Sequence, residues 1–216
     1  MLKLKFLILL LFTTSLNSFA QQLTENEKLV FDEVVYKRKK LGDYETLTKW
    51  TKPIRYKIYG DTSAYIVKEV DSFFNLIKKI TALDIKKAAN NSEENFILIF
   101  GNKPEDFQEY TTNKTPLESA ALYKRRVSDV STIEWGQSLI NTKKFADRLS
   151  VKNAIKKNVI KNIGFQNDSK LAPNSIFCTK GMNPKVEDFD IHIITALYNP
   201  SIKPGMTRDE VDKINL

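Results

Sequence analysis

The chain has 216 residues and a formal charge of +8, from 34 Lys and Arg against 26 Asp and Glu. Its one cysteine, Cys178, excludes an intrachain disulfide framework, and its one histidine, His192, cannot fill a zinc site together with that cysteine. The basic balance favours anionic surfaces without identifying nucleic acid as a partner.

Taken in chain order, Met1-Leu2-Lys3-Leu4-Lys5 is a basic start, Phe6 to Phe12 an apolar run, and Ser18-Phe19-Ala20 a small-x-small signal. This pattern predicts a signal peptide over residues 1–20, cleaved after Ala20, and a periplasmic or secreted mature chain. No cysteine follows the apolar run to carry an acyl anchor, and no later segment approaches 18 apolar residues. Loss of Lys3 and Lys5 lowers the charge by two, to +6. Thr24-x-x-Glu27 is a capping box, and Leu29, Val30, Val34 and Val35 form an apolar stripe. A helix is expected from residue 25 to about 40, ending in the basic run Lys37–Lys40 and the stop Gly42-Asp43.

Ile54, Tyr56 and Ile58 alternate with Arg55, Lys57 and Tyr59, as in a half-buried strand closed by Gly60-Asp61. Residues 64–82 carry Ile66, Val70, Phe73, Phe74, Ile77 and Ile80 at helical spacing. The run Phe96-Ile97-Leu98-Ile99-Phe100 predicts a central strand buried on both faces. Residues 101–120 read as a loop with a short helix, and residues 121–146 as one or two strands. A helix over 148–165 presents Val151, Ile155, Val159 and Ile163 to the core. An irregular stretch follows over 166–185, then a buried helix Asp188–Leu197, a turn at Pro204-Gly205, and a second capping box, Thr207-x-x-Glu210. Strand, long helix and strand in front, with helices behind, indicate an α+β fold.

Three segments carry a family resemblance: Trp50-x-x-Pro53-Ile54-Arg55; Ile163 to Ser169 with Ser175-Ile176-Phe177; and Ala196-Leu197-Tyr198-Asn199-Pro200-x-x-Lys203-Pro204-Gly205-Met206. Over roughly residues 50–215 the chain resembles the domain of unknown function 2927 family of exported bacterial proteins. That family in turn resembles a degenerate metzincin-type zinc peptidase. The resemblance implies a zincin-like mixed sheet with long packed helices over 50–216, preceded by an N-terminal helix and connection over 21–49. In the metzincin register Gly164 matches the motif glycine, Lys157 and Lys161 the two helical ligands, Asn158 the general base and Asn167 the third ligand. Relatives usually have Glu-Glu and Gln at the positions of Lys157, Asn158 and Lys161, a pattern from which this chain departs.

The chemistry of a zinc peptidase fails at those positions. Lysine ammonium groups have donors and no lone pair, and Asn158 has no carboxylate to take a proton from water. The expectation is therefore no metal, no cofactor and no metalloprotease. A Cys178–His192 nucleophile has only composition in its favour, and no Gly-x-Ser-x-Gly elbow supports a serine triad. His192 reads as a hydrogen-bonded or partly exposed helix residue, and Asn167 and Asp168 as shapers of the loop after Gly164. From Arg148 to Lys161 the chain holds five basic residues and no acid. This is either a solvated helix face or an anion-binding surface. The sharper reading is a relict cleft lined by Lys157, Asn158, Lys161 and Asn167. It would take an anionic or peptide ligand, or another envelope protein, with no role for nucleic acid. The alternative is a metal-independent hydrolase with paired carboxylates, for which Glu93, Glu94 and Glu118 are formal candidates. A purely structural domain of an envelope assembly is a third reading.

Overall fold

The computed structural model describes residues 22–36, 46–178, 185–214 and 216. The expected signal peptide, the basic run Lys37–Lys40 and the stop Gly42-Asp43 lie outside these residues. Thr24 opens helix α1 (Glu25–Val35) with the expected capping box. The helix stops short of residue 40, and Tyr36 is extended. Its last carbonyls are taken by a distant segment. Gln166 N and Asn167 N donate to Val34 O at 2.6 and 3.2 Å, and Asn167 Nδ2 donates to the carbonyls of Glu33 and Tyr36.

The Trp50–Arg55 segment is a strand change. Strand β1 (Lys49–Trp50) pairs with β6 (Thr132–Asn141), whereas β2 (Ile54–Gly60) pairs with β3 (Ile85–Lys87) and β4 (Phe96–Gly101). All of these pairings are parallel, as is β4 with β6. The remaining strand, β5 (Ala121–Val127), runs antiparallel to β6 at the sheet border. The sheet is thus mixed and largely parallel. Helix α2 (Ala64–Thr81) links β2 to β3, and helix α3 (Arg148–Ile163) follows β6. Helices α4 (Asp188–Leu197) and α5 (Arg208–Asp212) complete the described chain, the latter with its expected capping box.

Strand β4 is buried on both faces, as its unbroken apolar run requires. Phe96, Leu98 and Phe100 join the main core with the helices, and α1 contributes Val30, Phe31, Val34 and Val35 to the same core. Ile97 and Ile99 face the other way, where Phe107 and Leu117 from the 101–120 connection cover them. That connection is a loop holding short 3-10 helices at Pro104–Tyr110 and Thr112–Lys114, in keeping with the expected loop and short helix.

Two glycines have no substitute. Gly60 ends β2 at φ +77°, and a Cβ there would lie 1.9 Å from Phe100 O. Gly164 ends α3 at φ +137°, where a Cβ would meet Thr48 O at 2.4 Å. The turn at Gly164 lets the chain fold back beside α3, and this reversal builds the site.

Candidate functional site

Helix α3 starts at Asp147, whose carboxylate accepts from Ser150 N at 2.8 Å. Its predicted stripe of Val151, Ile155, Val159 and Ile163 is buried. The rest of the helix is far from a solvated face, because Lys152 and Lys156 both reach Glu69 of α2, at 3.1 and 2.8 Å. Burial pushes the Glu69 carboxyl up, yet the hydrogen bonds from Lys156 and Lys152 outweigh it and hold the group below its usual range.

Lys157 and Lys161 stand one turn apart on the same face. Both point at Asp168, which the reversal at Gly164 brings alongside. Lys161 Nζ is 2.7 Å from Asp168 Oδ1, and Lys157 Nζ is 3.8 Å from Oδ2. One carboxylate thus bridges two ammonium groups. Lys157 also donates to Cys178 O, and Lys161 to Gln166 O at 3.3 Å. Strand β5 closes the other side. Arg125 Nη1 donates to Lys161 O at 2.9 Å, and Tyr123 Oη to Gln166 O at 3.4 Å. Burial pushes the Lys161 ammonium below its ordinary range. Asp168 opposes that shift, while Lys157 and Arg125 add to it.

The structure joins Lys157 and Lys161 but turns the other two candidates elsewhere. Asn158 is buried, donates through Nδ2 to Ala154 O at 2.9 Å, and keeps Oδ1 shut off from solvent. Asn167 spends its side chain on the end of α1. It does shape a loop, although through carbonyls more than a hundred residues away rather than through its own backbone. Sequence reasoning missed Arg125 and Tyr123, which sit in a strand without a motif. It also took Asp168 for a loop residue, although an acid just past a helix-ending glycine is well placed to fold back onto lysines in the last turns.

The donor set does not fit zinc. Two ammonium groups already held by a carboxylate offer no lone pair to a metal. Among the described residues no three His, Cys, Asp or Glu side chains gather as metal ligands. His192 is partly exposed and bonded through Nδ1 to Glu27 Oε1 at 2.6 Å. Cys178 is buried. The carboxylate candidates are scattered. Glu94 accepts from Tyr59 Oη at 2.6 Å and raises that phenol to about 12, and Glu93 accepts from Asn90. Burial raises the carboxyls of Asp32 and Asp190, the former beside Arg208 and the latter bonded to Ser175.

A family profile described as a protein of unknown function, DUF2927, matches residues 24–215. The chain belongs to the DUF2927 family. No curated protein matches it. The match starts ahead of α1, well before Trp50, in keeping with the place of α1 in the main core of this DUF2927 protein. Among its described residues, no helix is long and apolar enough to cross a membrane.

Proposed function

We propose that this DUF2927 protein is an exported, non-catalytic binding module of the cell envelope. In this reading its cleft, a relict of a zincin-like peptidase, takes an anionic peptide in extended form. The observation that carries the reading is the convergence of Lys157 and Lys161 on a single carboxylate, Asp168, with Arg125 of the border strand β5 hydrogen-bonded to the Lys161 carbonyl. Two ammonium groups sharing one acid, with the Arg125 guanidinium acting on Lys161, leave an attractive field for a further anion. Strand β5 adds the second half of a recognition surface. Its described hydrogen-bonding neighbour is β6 alone, so its other edge offers backbone donors and acceptors to an incoming strand. The consecutive residues Lys124, Arg125 and Arg126 make that edge basic on both faces of the sheet. The lysines standing at metzincin spacing support the relict origin, and the first twenty residues support export.

The test uses a fluorescent decapeptide of alternating Glu and Ser, followed by anisotropy at low salt. Wild-type protein is expected to bind it, and Lys157→Gln/Lys161→Gln to bind about tenfold more weakly, the loss of roughly 1.4 kcal/mol. A Lys-Ser peptide should not bind either protein. Equal affinity of the two proteins for the acidic peptide, with both folded by circular dichroism, would overturn the reading.

A further inference from the structure

Asp168 has the arrangement of a bound ligand. One of its oxygens meets Lys161 at 2.7 Å, and the other faces Lys157 at 3.8 Å, too far for a direct hydrogen bond. The carboxylate therefore satisfies one ammonium well and the other only by charge. It is also the most open member of the group, with 31% of its side chain exposed against 24% for Lys157 and 13% for Lys161. The backbone on either side is fixed. Asn167 is tied to α1 through its main-chain and side-chain nitrogens, Ser169 N donates to Phe177 O at 2.8 Å, and Ser169 Oγ donates to Glu33 at 2.6 Å. Asp168 can thus leave the lysines by turning about its own two side-chain torsions, without moving the loop.

We propose that the seat between Lys157 and Lys161 is a carboxylate-binding site, and that Asp168 fills it as an internal competitor until a ligand carboxylate takes its place. This rests on the binding reading above and gives it a ligand group and a mode of control. The bridging geometry suits one planar carboxylate with an oxygen for each ammonium. Displacement conserves the number of ion pairs at the seat, so the competitor lowers affinity for weak anions and tolerates those held by additional contacts along β5. Arg125, hydrogen-bonded to the Lys161 carbonyl, keeps the surroundings positive while the exchange takes place.

The experiment compares wild type, Asp168→Asn and Asp168→Asn/Lys157→Gln/Lys161→Gln with two probes. One is the Glu-Ser decapeptide with its C-terminus amidated. The other is a Ser-Gly decapeptide with a free C-terminal carboxylate. Asp168→Asn keeps the side-chain shape and removes the competitor, so it is expected to bind about five- to tenfold tighter than wild type at low salt, a gain of about 1 kcal/mol. The triple variant should lose the gain. Tighter binding of the first probe alone assigns the seat to acidic side chains, and of the second alone to a chain terminus. In wild type labelled with 13C, the Asp168 carboxyl resonance should move on saturation with the preferred probe, which keeps the test open if the Asn variant folds poorly. Wild-type binding that depends on the lysines, with neither a gain in Asp168→Asn nor movement of the carboxyl resonance, would overturn this inference alone. Absence of binding by every protein would overturn the binding reading with it.

Discussion

Lys49 shows how far a single side chain can organise this molecule. Its ammonium is buried with no carboxylate among its hydrogen-bond partners, and it donates to the carbonyls of Leu197 and Ile202 at 2.9 Å and of Asn199 at 3.4 Å. Those carbonyls end α4 and shape the turn after it, where no further helical N–H is available. Burial pushes the ammonium down to about 8, and Lys203 adds to the shift. Lys49→Met would leave the three acceptors without their donor and is expected to cost about 2 kcal/mol, some 4–8 °C in Tm by calorimetry. The pH dependence has a definite sign. Between about 8 and the ordinary lysine value of 10.5 the unfolded chain holds a proton that the folded one has shed, so the stability due to this group rises with pH there. The gap between wild type and Lys49→Met should accordingly widen from pH 8 to pH 10. A constant gap would show that the ammonium does not titrate in the core. None of this was legible in the sequence, where Lys49 is one of many lysines beside a tryptophan.

At the scale of elements, α3 separates what a pattern reveals from what it hides. The four-residue repeat of Val151, Ile155, Val159 and Ile163 identified the core stripe, because packing against a sheet demands only local periodicity. The fate of the basic residues depended on acids far away in sequence or across a turn, Glu69 on α2 and Asp168 beyond Gly164. Spacing along one helix cannot register such partners. The end of α1 is a similar case, since Gln166 and Asn167 decide where it stops. By contrast, both capping boxes and α4 were readable, being written in neighbouring residues. The clasp between α2 and α3 can be tested directly. Glu69→Ala removes the carboxylate facing Lys156, whose side chain is 11% exposed, and is expected to destabilise the protein by about 2–3 kcal/mol in urea denaturation. The folded carboxyl lies below its unfolded value of 4.5, so its contribution is present above that pH and disappears as the pH falls through the folded value. The wild-type advantage over Glu69→Ala should therefore shrink on acidification below pH 4.5.

For the whole molecule, the sheet border is the feature that governs association. A second copy pairing antiparallel along β5 would set Lys124, Arg125 and Arg126 against their own counterparts, and like charges across a strand pair repel. The same charges that invite an acidic strand thus discourage self-pairing. Lys124→Val/Arg126→Val is expected to self-associate with rising concentration, seen by light scattering, while wild type at equal concentration does not. Equal behaviour of the two would mean that charge is not what guards this edge. The sheet order joins residues distant in sequence, and the last stages of closure do so most of all. Leu47 exchanges backbone hydrogen bonds with Gly205 and Met206, Lys49 grips residues 197–202, and Tyr198 Oη reaches Ile163 O at 2.6 Å. A ribosome must deliver residues 197–206 before this buckle can fasten. Until residues 197–206 emerge, the nascent chain keeps a lysine in search of acceptors and an unclasped first strand, so this long-range closure waits on about 150 residues of intervening chain.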